Sequence, residues 1–438
     1  MNRRKWRALL KQYLLIVVLM ILVAVSLMLS FGIWSSLGDR PLYIAPSESA
    51  DSDKRLVSEK DIVSVYDFDN VVVNQKGKQQ LVMNSRSITR EVLAVMGDWQ
   101  INTVTAEKLD EKQYLKLMNE KNTVLLGYPD QVVGSLVESR LNLGIGLTDD
   151  DRVDRVQLPL SGKGQVRFFN DRTRDVYTAS IMTPGTSLDD IKWPKNMTDV
   201  NFEWRQNRLR MNYLSETKLK TKSYLLDESK RADVVATAFK SARVTPYLVD
   251  TPDDKVEYTD GDTRRLVLNK QSGNVEMTEY DSKTMPRAMS SNMTHAYDTL
   301  VALKQVPENM YYFEELEDGM KLSYRLYVEG LPMFMSENFD FGTISVTYES
   351  NRQTVDYSVY GIQVPLPDKN EKTITLDNTE TVMEKLTDAG VDTKKVQGLT
   401  MGYSWLENDE EGYITLQPAW FVQMKDEWLP VTFYTGAV

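Results

Sequence analysis

From Gln12 to Gly38 the chain carries no charged residue, and the run from Leu14 to Trp34 inside that stretch reads LLIVVLMILVAVSLMLSFGIW. A helix of this length, rising about 1.5 Å per residue, reaches roughly 31 Å, which matches a bilayer hydrocarbon core of about 30 Å. The run is longer than the roughly 7–15 apolar residues of a secretory signal peptide. Ser36-Leu37-Gly38 does fit a small-x-small cleavage pattern, but the length favours a retained anchor. Arg3, Arg4, Lys5, Arg7 and Lys11 precede the run, with no acid among them, and Arg40 is the one base just after it. Basic flanks stay on the cytoplasmic side. The expected layout is a cytoplasmic stub over 1–12, a transmembrane helix over 13–37 and an extracytoplasmic remainder. No later run of comparable length occurs, so a single crossing is expected.

Charge and rare residues narrow what that remainder can do. The whole chain has a formal charge of −11 and the residues before Gly38 carry +5, which leaves −16 beyond them. An acidic surface argues against nucleic acid, whose binding depends on basic neutralisation of phosphates, and against general adhesion to anionic lipid or wall polymer. There is no cysteine and one histidine, His295. No Cys/His zinc site and no Cys–His dyad can be assembled. A Ser-His-Asp triad would have to use His295, and no G-x-S-x-G accompanies it. Without disulfides, burial alone must hold the fold together, which some 400 residues can supply.

Along the chain, Ala45 to Asp53 (APSESADSD) is small, polar and acidic and reads as a stalk over 38–53. Ser87 to Met96 has helical spacing, with Ser87 as N-cap and Gly97 past the end. Thr123-Val-Leu-Leu reads as a short buried strand, followed by Tyr128-Pro129-Asp130 and a helix-like Gln131 to Arg140. These elements suggest a first α+β domain over 54–150, closed by Leu143-Gly-Ile-Gly-Leu-Thr-Asp-Asp-Asp151. A central α+β domain over 151–285 contains a turn at Ser161-Gly-Lys-Gly164, helical spacing from Asp227 to Ala242, and a hairpin from Arg264 to Tyr280 around Lys270-Gln-Ser-Gly-Asn.

The C-terminal part, 286–438, alternates most regularly. Leu322, Tyr324, Leu326 and Val328 alternate with Ser323, Arg325 and Tyr327, and similar runs surround Val346 and Tyr357. A period of two implies antiparallel strands with one face buried. Two helices are expected among them, one with Ala296, Tyr297 and Leu300, the other with Val382, Met383 and Leu386 between Asn378 and Gly390. An offset of 86 relates these triplets, and the same offset relates Pro332 to Pro418 and Phe334 to Trp420. Each proline word, Gly330-Leu-Pro-Met-Phe334 and Leu416-Gln-Pro-Ala-Trp420, follows an acidic tip, Glu317-Asp-Gly319 or Asn408-Asp-Glu-Glu-Gly412. The reading is a duplicated unit of helix, hairpin and a strand opened by proline. The expected fold class is therefore α+β: one N-terminal transmembrane helix, then a multi-domain ectodomain of mainly antiparallel sheets with packed helices and a duplicated helix-plus-sheet module.

Motifs for chemistry are sparse. Ser215-Glu-Thr-Lys218 fits S-x-x-K, but the S-D-N and K-T-G partners of that chemistry are missing. The acids at Asp149–Asp151, Asp253-Asp254 and Asn408 to Glu411 lack calcium-loop spacing and suit turns and tips. Gly144-x-Gly146 and Gly162-x-Gly164 lack the rest of a phosphate fingerprint. Trp405, Trp420 and Trp428 suit packing better than a ligand platform. No catalytic residue, cofactor or metal is expected. Within the apolar run, Ser26 and Ser30 form a small-xxx-small pair, as do Gly32 and Ser36, and small side chains let helix backbones approach in lipid.

A basic start, one span, a large cysteine-free α+β ectodomain and the words Gly330-Leu-Pro-Met-Phe334 and Leu416-Gln-Pro-Ala-Trp420 together resemble the YycH-type regulatory proteins of Gram-positive bacteria. The C-terminal module is similar to that of the companion YycI-type proteins. The resemblance implies a non-enzymatic, membrane-anchored accessory of the sensor histidine kinase in the WalK/WalR (YycG/YycF) system that controls cell-wall metabolism. It implies a YycI-type partner and contacts made through the span, with Ser26 and Ser30 as candidate positions. Read from residues alone, an exported wall-associated hydrolase or acyltransferase, or a binding module for wall fragments, stands as the alternative.

Overall fold

Ten strands between residues 70 and 213 pair into one sheet, and most of the later strands pair into a second. The computed structural model describes residues 60–183, 185–205, 208–240, 247–249, 254–280, 288–334, 342–367, 371–407 and 413–436. The apolar run with Ser26 and Ser30, the bases Arg3, Arg4, Lys5, Arg7 and Lys11, the stalk and the tip 408–412 lie outside these residues. Among the described residues no helix is long and apolar enough to cross a membrane.

The first sheet takes β1 (Asn70–Gln75), β2 (Lys78–Val82), β3 (Gln100–Ile101), β4 (Thr105–Lys108) and β5 (Thr123–Val133). It continues with β6 (Arg152–Pro159), β7 (Gln165–Phe169), β8 (Asp175–Thr183), β9 (Met197–Arg205) and β10 (Arg208–Tyr213). Their spatial order is β10-β9-β2-β1-β5-β6-β7-β8-β3, with β4 also on β8. Helices α1 (Ile62–Val65), α2 (Arg86–Met96), α3 (Glu111–Met118) and α4 (Gly134–Leu141) accompany it. Residue 150, the expected domain boundary, falls in the connection between β5 and β6, which pair along most of their length. Valine runs in β1 and β5 supply the centre of this core: Val71, Val72, Val124 and Leu126 are buried.

Helix α2 begins at Arg86, so Ser87, the expected N-cap, lies within it. Ser85 precedes it, and its hydroxyl donates to the Asp69 carbonyl at 3.0 Å. Gly97 closes it in right-handed backbone, φ −57°, so glycine's left-handed freedom is not used there. The expected helix from Gln131 starts at Gly134 instead, because β5 runs on to Val133. The ladder with β6 shifts between Gly127 and Val132, so Tyr128, Pro129, Asp130 and Gln131 form a bulge. A bulge tolerates proline and re-aims side chains.

The second part holds β11 (Thr217–Lys220), β12 (Lys222–Glu228), α5 (Arg231–Ala238), β13 (Tyr247–Val249), β14 (Lys255–Thr259), β15 (Arg264–Asn269) and β16 (Asn274–Tyr280). After α6 (Met289–Ala302) come β17 (Met310–Leu316), β18 (Lys321–Val328), β19 (Leu331–Phe334), β20 (Thr343–Tyr348), β21 (Arg352–Ser358), β22 (Tyr360–Pro365) and β23 (Thr373–Leu376). The chain ends with α7 (Thr379–Asp388), β24 (Gly398–Glu407), β25 (Tyr413–Met424), β26 (Glu427–Pro430) and α8 (Val431–Thr435). Fourteen strands form one sheet, and β11 pairs separately with β23. Among the described residues, pairing is antiparallel except where β19 runs parallel to β24. With eight α-helices among the described residues, the fold is α+β and mainly antiparallel.

Both expected C-terminal helices form, and Asn378 caps α7 by accepting from Thr381 N at 2.9 Å. Strand β18 differs from expectation: residues Leu322 to Val328 are buried on both faces. Its second face is covered by Phe313, Phe334, Phe421 and Trp428. Pro332 is the second residue of β19, whereas Pro418 lies inside β25 rather than opening it. On the side of β25 away from β24, β12 reaches only to Leu416 and β26 begins at Phe421. Pro418 therefore occupies a stretch with a partner on one side, where a missing N–H can be spared.

Candidate functional site

The chain enters the described fold at Lys60, and that residue is clamped. Its ammonium donates to the Met310 carbonyl at 2.6 Å and the Glu308 carbonyl at 3.1 Å, and it lies 3.0 Å from the centre of the Tyr311 ring. Tyr297 of α6 donates to the Lys60 carbonyl at 2.8 Å. The Arg86 guanidinium, on the first residue of α2, lies 3.2 Å from the centre of the same ring and 5.2 Å from that of Tyr327. Burial and the neighbouring Arg86 lower the Lys60 pKa from 10.5 to about 6. The carbonyls and the ring face oppose that pull, since all three favour a cation. Beside this point Arg140 of α4 grips both Asp67 oxygens at 2.8 Å. Burial raises the Asp69 carboxyl to about 6.

A second group of polar contacts ties β5 to β17. Tyr66 donates to the Met293 carbonyl at 2.8 Å and shares a 2.5 Å hydrogen bond with Tyr324. Tyr312 donates to the Gln131 carbonyl at 3.0 Å. Glu315, with a fully buried side chain, accepts from Gln131 Nε2 at 2.8 Å, from Gly319 N at 2.6 Å and from Arg172. Arg172 also meets Asp130 at 3.0 Å, and Asp130 accepts from Glu315 N at 3.0 Å. Burial raises the Asp130 carboxyl, against the pull of Arg172. Burial alone would lower Arg172, but Asp130 and Glu315 raise it above its ordinary value. Behind them Asp154 accepts from Asp171 N at 2.8 Å, and Asp171 takes Tyr114 OH at 2.7 Å and Arg155 at 3.0 Å. Burial, and then Asp171 and Asp130, hold the Asp154 carboxyl well above the usual range.

Neither group has the form of a catalytic centre. Each acid faces a donor already in place, and no nucleophile–base pair converges on a cleft. The arrangement is a joint between the first described residues, the first sheet, α6 and β17. Both bulges build it. The ladder of β17 with β18 shifts between Tyr312 and Glu314, which turns Glu315 inward. Sequence reasoning missed Asp130 and Glu315 because a bulge reverses the alternation from which burial is read, and Lys60 and Arg172 because their partners are distant in sequence.

The residues weighed for chemistry are dispersed. His295 lies on α6 half-buried, with Nδ1 3.4 Å from Tyr348 OH. Ser215 and Lys218 are exposed, and Lys218 is on β11 rather than one helical turn from the serine. Asp151 accepts from Thr148 N at 2.6 Å and so shapes its own turn. Trp405 is buried, Trp420 donates to the Asp377 carbonyl at 3.0 Å, and Trp428 donates to Glu314 at 3.0 Å while packing on Phe313 and Phe334. An open depression of about 300 Å³ is lined by Glu138, Ser139, Asn142, Leu143 and Gly144. Glu138 is committed there to Ile145 N at 2.6 Å and to neighbouring backbone amides.

Comparison with known proteins bears on the whole arrangement. The family described as the YycH protein, C-terminal domain, matches residues 213–437. The crystal structure of YycH from Bacillus subtilis is similar, with a TM-score of 0.66 and 12% sequence identity, over 85% of this chain and 97% of that one. At that identity the likeness shows the fold. No curated protein matches the chain. The family match covers just over half of the sequence and falls on the part that carries Gly330-Leu-Pro-Met-Phe334 and Leu416-Gln-Pro-Ala-Trp420: the chain belongs to the YycH family.

Proposed function

We propose that this chain is a membrane-anchored, extracytoplasmic accessory protein that regulates a sensor histidine kinase of the WalK/YycG type controlling cell-wall metabolism, together with a YycI-type partner. Membership of the YycH family carries the reading. The uncharged run from Leu14 to Trp34, with five bases before it, supports a single span with the N-terminus in the cytoplasm. The residue inventory supports a non-catalytic role, since the one histidine sits beside a tyrosine rather than a nucleophile. The helix-plus-sheet segments from residue 286 onward are read as a duplicated, YycI-like module.

In this reading the span contacts the kinase, and Ser26 and Ser30 supply small positions for close helix approach. Lipid provides no hydrophobic reason for helices to associate, so shape and small or polar positions must supply it. A two-state receptor is biased by a partner that fits one state better. Events at the span would then reach the ectodomain through Lys60, whose clamp joins it to α6 and β17. Exchanging residues 14–34 for an unrelated apolar span of equal length should weaken kinase regulation in cells while export persists. If the exchanged protein regulates as well as the native one, the span is only a tether and the contact reading fails. A Ser26→Leu, Ser30→Leu pair refines the same test.

A further inference from the structure

The end of the β9–β10 hairpin concentrates positive charge on an otherwise acidic ectodomain. In the antiparallel register Arg208 lies directly opposite Arg205, and Arg210 directly opposite Glu203. Directly opposed residues share one face, as do residues two apart. Arg205, Arg208 and Arg210 thus line a single face, although like charges placed opposite each other are unfavourable. Beyond Val200 β9 has no further pairing with β2, and Trp204 on its other face packs against Tyr114.

One acid on this face, Glu203, pairs with Arg205, which leaves Arg208 and Arg210 without an acid partner among the described residues. Glu203 accepts from Arg205 Nε at 2.5 Å and from Asn212 at 3.0 Å, which occupies both its oxygens. Asp199, further along, is held by Lys78 at 2.7 Å and Gln80 at 2.8 Å. Arg210 reaches across to the Val396 carbonyl, which brings the 3-10 turn Thr393–Lys395 alongside. Lys394 of that turn is exposed, and Lys395 has only a 3.7 Å contact with Asp392. Arg210 Nε is buried with no hydrogen-bond partner. Burial, followed by Arg205 and Arg208, lowers the Arg210 guanidinium to about 10, in keeping with a local surplus of positive charge.

We propose that the facing ends of β9 and β10 and the adjoining turn form a binding site for a phosphate group, with Arg208, Arg210, Lys394 and Lys395 as its cations and Arg205 held beside them by Glu203. A planar carboxylate is satisfied by one guanidinium fork, whereas a tetrahedral phosphate offers oxygens to cations arriving from two directions. The Arg210–Val396 contact sets the ends of β9 and β10 beside the turn that carries Lys394 and Lys395. The group can come from a free phosphate or from a phosphodiester chain, and the two sources share this chemistry.

The test uses the full chain in uncharged detergent micelles, titrated by calorimetry with inorganic pyrophosphate and separately with a phosphodiester oligomer. Arg208 is exposed, so Arg208→Glu alters charge without disturbing the core. Lys121→Glu, on an exposed turn of the same sheet, makes the same change in net charge elsewhere. Loss of a charge-assisted contact predicts that Arg208→Glu binds about tenfold more weakly or worse, while Lys121→Glu binds as the native chain does. Binding of both probes with this pattern supports the site and a free-phosphate source; binding of the oligomer alone supports the site and a polymer source. Absence of binding by both probes at millimolar concentration overturns the proposal, as does equal weakening by the two variants. Binding of polyglutamate with neither phosphate probe also overturns it and assigns the patch to an acidic protein.

Discussion

Replacing Glu315 by glutamine puts an amide where each neighbour is a donor. Gln131 Nε2, Gly319 N and Arg172 all present hydrogens to the two carboxylate oxygens. A glutamine oxygen can serve one side, and its NH2 must then face donors on the other. One stranded buried donor costs about 1–3 kcal/mol. The ion pair adds less than a fully buried one would, because the Arg172 side chain is 45% exposed while that of Glu315 is 0%; about 1 kcal/mol is appropriate after solvent screening. The expected loss is about 2–4 kcal/mol, or roughly 3–5 °C in the unfolding midpoint of a unit this size. Thermal unfolding of the full chain in micelles, followed by tryptophan fluorescence, reads this directly. Combined with Arg172→Ala, the loss should fall short of additivity by about 1 kcal/mol, since the two residues share one contact. A midpoint within about 1 °C of the native chain for Glu315→Gln, or strict additivity with Arg172→Ala, would refute the donor-only description of this site.

Asp154→Asn should stabilise the protein at neutral pH: an acid whose folded pKa is raised loses stability as pH climbs from its unfolded value through the raised one, so the gain over native should be larger at pH 8 than at pH 4; an equal gain at both would sink the burial account. Lys60 contributes the opposite slope, because a lysine lowered to about 6 makes stability rise with pH between about 6 and 10.5. Gly402→Ala should cost about 1–3 kcal/mol, since a Cβ there would lie 2.6 Å from the buried Phe334 ring and from the Pro332 carbonyl, whereas Gly144→Ala, with open space around it, should leave the midpoint unchanged in the same melt. His295→Gln with Ser215→Ala should leave kinase regulation in cells at its native level; loss of regulation in an exported, folded variant would return catalysis to consideration.

Local pattern made several features legible in the chain. The uncharged run and its basic flank, the capped helix after Asn378, the hairpin around Gly273 and the alternation of β20 are short-range signals that depend on residues close in sequence. The composition that argues against Cys or His chemistry is likewise independent of folding. The joint was not legible, because its members are separated by up to 258 positions: Lys60 meets Met310, Tyr66 meets Tyr324, and Gln131 meets Glu315. Two bulges, at Tyr128–Gln131 and after Tyr312, decide which acids turn inward, and each reverses the period-two rule at the point where it matters. The burial of both faces of β18 also awaited the fold, since the aromatic cover arrives from β17, β19, β25 and β26. The cationic face at Arg205 and Arg208 stands between these cases: the residues are neighbours in sequence, but only the hairpin register sets them opposite each other, and only packing brings the Lys394–Lys395 turn beside them. Periodicity and composition act through near neighbours, whereas register, bulges and long-range polar pairing are settled when distant segments compete for the same hydrogen bonds.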